Sequence, residues 1–278
     1  MAPVKSAIEP RIRSIDGISV RYAESEPHGP DALLFSPWPE SLFAYDQVWT
    51  RLAERAHVVA VDLPGFGHSE RRDDLLSPRA MGQFVHRVAD EFGLDQPHAV
   101  GPDIGTGALL FEAAERPGRL RSLVVGSGGV AAPIQLGSAL HDWVFAPDVE
   151  PYRKADPRKT VAGALDTIEG YELPPDVRED YLSGYEGDRF VESMRYVRAY
   201  HTDLPVLRDL LPGIVTPVQI FAGREDLAVP PANAEYLRDR LPHNHLTMFD
   251  TGHFVWEEDA DGFADLILDW WDGGAERV

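Results

Sequence analysis

The segment His98-Ala99-Val100-Gly101-Pro102-Asp103-Ile104-Gly105-Thr106-Gly107 decides the fold. An apolar strand runs into G-x-D-x-G, and a helical pattern over 107–116 follows. Glycines flanking a central residue permit a very tight strand-to-helix turn. Such a turn exposes the central side chain above a sheet and aims the amino end of the helix at it. The motif differs from the serine form G-x-S-x-G only in carrying Asp103. A carboxylate is already ionised at neutral pH, so it needs no base to attack an sp³ carbon and form an ester. Taken alone, the segment fits a capping aspartate in a tight turn equally well.

Working outward, Leu33-Leu34-Phe35, Val58-Val59-Ala60-Val61 and Leu123-Val124-Val125 read as buried strands. Residues 43–55 and 78–92 carry helical spacing, with Phe84, Val88 and Phe92 four apart on one face. Strands alternating with helices imply right-handed crossovers and a mostly parallel sheet covered by helices on both faces. The pattern breaks between about Val130 and Pro212. Prolines punctuate this stretch, helix-like pieces cover 176–184 and 188–200, and six of the nine tyrosines fall in it. Alternation then resumes, with strands at 218–221 and 245–249 and helices at 231–240 and 259–272. The expected organisation is an α/β core over 1–129 and 213–278, interrupted by a helical cap over 130–212. The cap is expected at the carboxyl edge of the sheet, where open α/β sheets place their sites.

Two later segments bear on Asp103. Phe221 to Pro230 puts Asp226, with Glu225 as rival, just past a strand end; Phe249-Asp250-Thr251-Gly252-His253 does the same for a histidine. The chain order is nucleophile, acid, histidine. After an ester-forming aspartate, His253 would deprotonate the water that hydrolyses the ester. Asp226 would hold its tautomer and stabilise the imidazolium.

On these residues the chain resembles the α/β-hydrolase superfamily over essentially its full length. Asp62-Leu63-Pro64-Gly65-Phe66-Gly67-His68-Ser69 is similar to the family's glycine-rich turn and reads as structural. Asp103 points to the epoxide hydrolase and haloalkane dehalogenase branch. Ser36-Pro37-Trp38-Pro39-Glu40-Ser41 resembles the epoxide hydrolase loop His-Gly-aromatic-Pro-Glu, with Ser36-Pro37 in place of His-Gly. That likeness implies an oxyanion hole formed by the backbone N–H groups of Trp38 and Ile104, and a cis bond at Trp38–Pro39.

The leaving group separates the two chemistries. An opening epoxide needs an O–H donor, and the resemblance implies two cap tyrosines, matched here by Tyr152 and by Tyr196, which lies thirty residues before Asp226. A halide needs N–H donors. Dehalogenases of this branch place Trp directly after the nucleophile, and fluoroacetate dehalogenases place Arg there. Here the position is Ile104, which leaves the indole of Trp38 as the candidate donor. The expected activity is epoxide hydrolysis to a vicinal diol. Haloalkane dehalogenation, ester or lactone hydrolysis, and a catalytically silent member of the fold are the alternatives.

Composition narrows the partners. Lys and Arg number 26 against 46 Asp and Glu, a net charge of −20. That balance argues against nucleic acid and anionic membrane and suits a small neutral organic substrate. With no cysteine there is no disulfide or thiolate site, and the ten histidines form no spaced metal motif. No cofactor or metal is expected. The absence of a signal-like apolar stretch points to a cytoplasmic protein. Monomer and homodimer stay open. Gly126-Ser127-Gly128-Gly129 reads as a hinge into the cap, and Trp270-Trp271 as packing for the last helix.

Overall fold

A computed structural model describes residues 6–278. The first two strands, β1 (Arg11–Ile15) and β2 (Ile18–Glu24), form a hairpin. Its two-residue turn is Asp16-Gly17, both left-handed at φ 52° and 82°, the geometry that Asp-Gly favours between strands. The sequence reading did not include this hairpin. Next come β3 (Asp31–Phe35), α1 (Asp46–Ala53), β4 (His57–Val61), α2 (Pro78–Glu91), β5 (His98–Pro102), α3 (Ile104–Glu115) and β6 (Ser122–Gly126). Six helices then intervene: α4 (Ser138–Phe145), α5 (Glu150–Arg153), α6 (Pro157–Leu165), α7 (Pro175–Ser183), α8 (Arg189–Arg198) and α9 (Tyr200–Leu210). The chain closes with β7 (Val218–Gly223), α10 (Ala232–Arg238), β8 (Asn244–Phe249), α11 (Val255–Glu258) and α12 (Ala260–Trp271).

The eight strands lie in the order β1-β2-β4-β3-β5-β6-β7-β8. The pairs from β4 through β8 are parallel, and β2 joins antiparallel. Alternate strand residues feed two cores. Leu33, Phe35, Val59, Val61, Leu123 and Val125 pack on the side of α2 and α3. Ala32, Leu34, Val58, Ala60, Val100 and Val124 pack on the side of α1 and α12. This period of two, with both faces apolar, is what a sheet buried between helix layers requires.

The helical insertion is tied to the glycine-rich turn. Arg189 donates to the carbonyls of Gly67 and Ser69, and the Tyr185 hydroxyl accepts from Gly67 N–H at 3.1 Å. Arg21 makes a bidentate pair with Asp180 of α7 at 2.7 and 2.9 Å. The turn itself is braced by buried Asp62, which accepts from Leu42 and His68 N–H.

Candidate active site

Every residue singled out on the core sits just past the carboxyl end of a parallel strand: Trp38 after β3, Asp103 after β5, Asp226 after β7, His253 after β8. Asp103 has φ 49° and ψ −117°, a backbone conformation that costs a non-glycine residue about 1–3 kcal/mol. The glycines around it explain how the strain is held. A Cβ on Gly101 would lie 2.6 Å from Leu109 Cδ1 and 3.0 Å from the backbone of Gly105. A Cβ on Gly128 would lie 2.5 Å from the Asp103 carbonyl oxygen, so the 126–129 run serves close approach to the turn. Thr106 bolts the turn to β6, donating to Gly101 and Gly126 carbonyls at 3.0 Å and accepting from Gly126 N–H.

The carboxylate of Asp103 is buried, and its Oδ2 accepts from Trp38 N–H at 2.7 Å. Ile104 N–H, the first of α3, lies close enough to this carboxylate to favour its charged form. The loop therefore presents Trp38 N–H with Ser36-Pro37 where the resemblance has His-Gly, and Trp38–Pro39 is cis. Burial raises the Asp103 pKa to about 6, and His253 and the two N–H donors pull against that rise. His253 Nδ1 meets Asp226 Oδ2 at 2.8 Å. Asp226 Oδ1 accepts from Ala228 and Val229 N–H at 2.9 and 2.7 Å, so the acid is fixed at both oxygens. Glu225, the rival acid, is exposed. Burial opposes protonation of His253, but Asp226 and Asp103 outweigh it and hold its pKa above the ordinary value.

Asp103 and His253 line one cavity of about 320 Å³. Its walls are mostly apolar. Trp38 stacks on Phe190 of α8 at 5.3 Å, and Trp143 of α4 meets Trp38 edge-on at 5.5 Å. Helix α6 presents Thr160, Gly163 and Ala164 to it, and Thr167 follows in the turn after the helix. The Trp38 indole N–H is buried and has no acceptor.

The two expected tyrosines are not brought to this cavity. Tyr196 is fully buried beneath it and donates to the Ile104 carbonyl at 2.7 Å. Tyr152 lies on α5, packed against the edge of the core. The expectation that this pair polarises an epoxide oxygen is corrected accordingly: spacing along the chain matched, but the α8 face carrying Tyr196 turns under the nucleophile turn. Trp143 and Phe190 were missed, because no spacing rule says which helical residues of an insertion face inward. Glu257, buried behind the site, was missed as well, and Glu40 was read only as part of the Trp38 loop.

The chain belongs to the α/β-hydrolase fold family, whose model matches residues 38–260. It is similar to 2-hydroxymuconate semialdehyde hydrolase of Pseudomonas putida, at 28% identity over 78% of this chain and 77% of that one. It is also similar, at 25% identity over 96% and 83%, to an uncharacterised protein of Mycobacterium tuberculosis. Among solved structures, the enol-lactonase from Burkholderia xenovorans superposes with a TM-score of 0.79 at 18% identity, covering 94% of this chain and 100% of that one. No helix among the described residues is long and apolar enough to cross a membrane.

Proposed function

We propose that this α/β hydrolase works through an alkyl ester of Asp103. One observation carries the reading: the enzyme's own carboxylate oxygen, Asp103 Oδ2, occupies the Trp38 N–H at 2.7 Å, with the Ile104 N–H beside the same carboxylate. In acyl transfer to serine those donors receive the substrate's carbonyl oxygen. Filled by Asp103, they leave Oδ1 as nucleophile for an sp³ carbon. The carbon–leaving-group bond breaks as the ester bond forms, and the leaving group departs with the electron pair. Neutral His253 then takes a proton from water, whose oxygen attacks the ester carbonyl carbon. Negative charge develops on Oδ2, where the Trp38 N–H already points and the Ile104 N–H stands near. Collapse expels the alkoxide, which takes the proton from His253 and leaves as the alcohol, and Asp103 returns to its carboxylate by losing a proton to solvent.

The leaving group this cavity suits best is a halide. Trp38 supplies a buried indole N–H without an acceptor, and Trp143 stands beside it. The apolar walls suit a small neutral alkyl halide. An epoxide is the second reading, since the ester step is shared; Thr160 and Thr167 line the same cavity, with their hydroxyls donating to the Asp156 and Ala164 carbonyls. Attack at a carbonyl, which the relatives' names suggest, would require Asp103 to vacate its donors.

The test uses His253→Gln, which forms the ester but hydrolyses it slowly. The variant is incubated with haloalkanes, epoxides and esters, and its intact mass is recorded. The expected adduct equals a haloalkane less one hydrogen halide and is lost in Asp103→Ala. An adduct of whole epoxide mass would select the second reading. Ester turnover that survives Asp103→Ala would end the Asp103 mechanism.

A further inference from the structure

Two buried carboxyl groups behind the site take no part in the ester chemistry. Glu40 is wholly buried and Glu257 is 4% exposed. Glu40 ends the loop that presents Trp38, Glu257 lies in α11, and their side chains are within hydrogen-bonding reach of each other. The donors around them are all engaged. Trp256 Nε1–H donates to Glu40 Oε2 at 2.8 Å. Tyr181 O–H and Gln47 Nε2–H donate to the two oxygens of Glu257 at 3.0 and 2.9 Å. Glu40 Oε1 is left without a donor. The nearby cations are used elsewhere, Arg21 by Asp62 and Asp180, and His253 by Asp226. Two unpaired carboxylates in contact away from water repel. One proton between them makes the same contact a strong O–H···O⁻ bond.

We infer that Glu40 and Glu257 hold one proton between them at neutral pH and, in that state, act as positioning residues for Asp103 and His253. Glu40 is two residues from Trp38, whose N–H holds Asp103. Trp256, held by Glu40, lies edge-on to the His253 ring at 5.9 Å. Tyr181 and Tyr185 connect both acids to the helical insertion, Tyr185 by donating to the Glu40 carbonyl at 2.9 Å. Burial is the chief cause that raises both acids, Glu40 well above the carboxylate range and Glu257 to about 7.

Loss of the shared proton leaves two buried anions. Asp46 and Asp103 face them with further negative charge. Asp180, near Tyr181, is matched by Arg21 and His68. Tyr45, Tyr171 and Tyr181 stay neutral through this range, their phenols raised by burial and by these same acids, Tyr171 to about 12. None of these groups answers the second charge, so repulsion would push the Trp38–Glu40 loop off Asp103.

The kinetic arm of the test rests on the Asp103 reading; a spectroscopic arm does not. The kcat/KM of the wild type is expected to fall on the alkaline side of neutrality, where neither ionised Asp103 nor neutral His253 predicts a loss. Glu40→Gln and Glu257→Gln should each shift that limb upward by about one pH unit or more, retaining about tenfold more of their maximal activity at the alkaline end. Unshifted limbs with a uniform loss at every pH would overturn the inference. Independently, Asp103→Asn protein should show an infrared carbonyl stretch of a protonated carboxylic acid at neutral pH, absent when Glu257→Gln is added. A spectrum without that band, or a band insensitive to both glutamate changes, would overturn it even if no substrate is found.

Discussion

At the residue scale, the site's protonation sets two separate acid limits. Asp103 must be ionised to attack, and burial places its pKa at about 6. His253 must be neutral to activate water, and Asp226 and Asp103 hold its pKa above the ordinary value. Alkylation, read as the single-turnover rate of leaving-group release by the wild type, should therefore rise with pH through about 6. Steady-state kcat of the wild type, when ester hydrolysis limits it, should rise at higher pH than that. Coincident limbs would assign both steps to one group. Trp38 offers a second test. Trp38→Phe keeps the ring and the backbone N–H but removes the indole donor, a hydrogen bond to charge worth about 1.5–3 kcal/mol. Alkylation by a haloalkane should slow about tenfold to a hundredfold, and thermal stability should change little; an unchanged rate would remove the indole from the mechanism. Asp103, Asp226 and His253 were legible in the sequence because each follows a strand, and strand ends fix position. The tyrosines were not, because which way a helix turns its hydroxyls depends on packing partners far away in the chain.

At the element scale, the strand-turn-helix around Asp103 was legible because glycine spacing reports close backbone approach directly. The same rule identifies a position the sequence reading passed over. Gly82 lies mid-helix in α2, where glycine costs about 1 kcal/mol relative to alanine. A Cβ there would lie 2.7 Å from the Ala108 carbonyl and 2.9 Å from Phe111 Cβ, both on α3. Gly82→Ala should therefore destabilise despite the propensity gain, because overpacking costs about 1–3 kcal/mol. Since α3 begins at Ile104, directly after Asp103, the alkylation rate should fall too. A higher melting temperature with intact rate would show that the two helices separate freely. The Asp16-Gly17 hairpin was legible in principle, since Ile18, Val20 and Tyr22 alternate with Ser19 and Arg21 after the turn, but β1 before it is mostly polar. Helices α4, α5, α6 and α9 were obscured by prolines, including Pro205 inside α9.

At the scale of the whole molecule, the excess of 20 negative charges is the dominant electrostatic fact. Exposed ion pairs are many: Arg158 with Glu179 and Glu186, Arg51 with Asp261 and Asp265, Arg224 with Asp250. Each such pair is exposed, so water and salt screen it and it adds little to stability. Salt weakens these attractions and also screens the repulsion among the unmatched acids, so the sign of its effect decides which is larger. Well above the isoelectric point of about 4.8, the unmatched charge should win. Near about pH 8, raising NaCl from about 10 to 300 mM shortens the screening length from about 30 Å to below 10 Å. The melting temperature should rise. Near pH 5, where net charge is close to zero, the same addition should leave it level or lower it. A fall at pH 8 would mean that the pairs outweigh the excess. Chloride is itself a halide, so repeating the titration with Trp38→Phe separates two causes. General screening raises both proteins alike, whereas a rise confined to the wild type would report chloride held by the indole N–H beside Asp103.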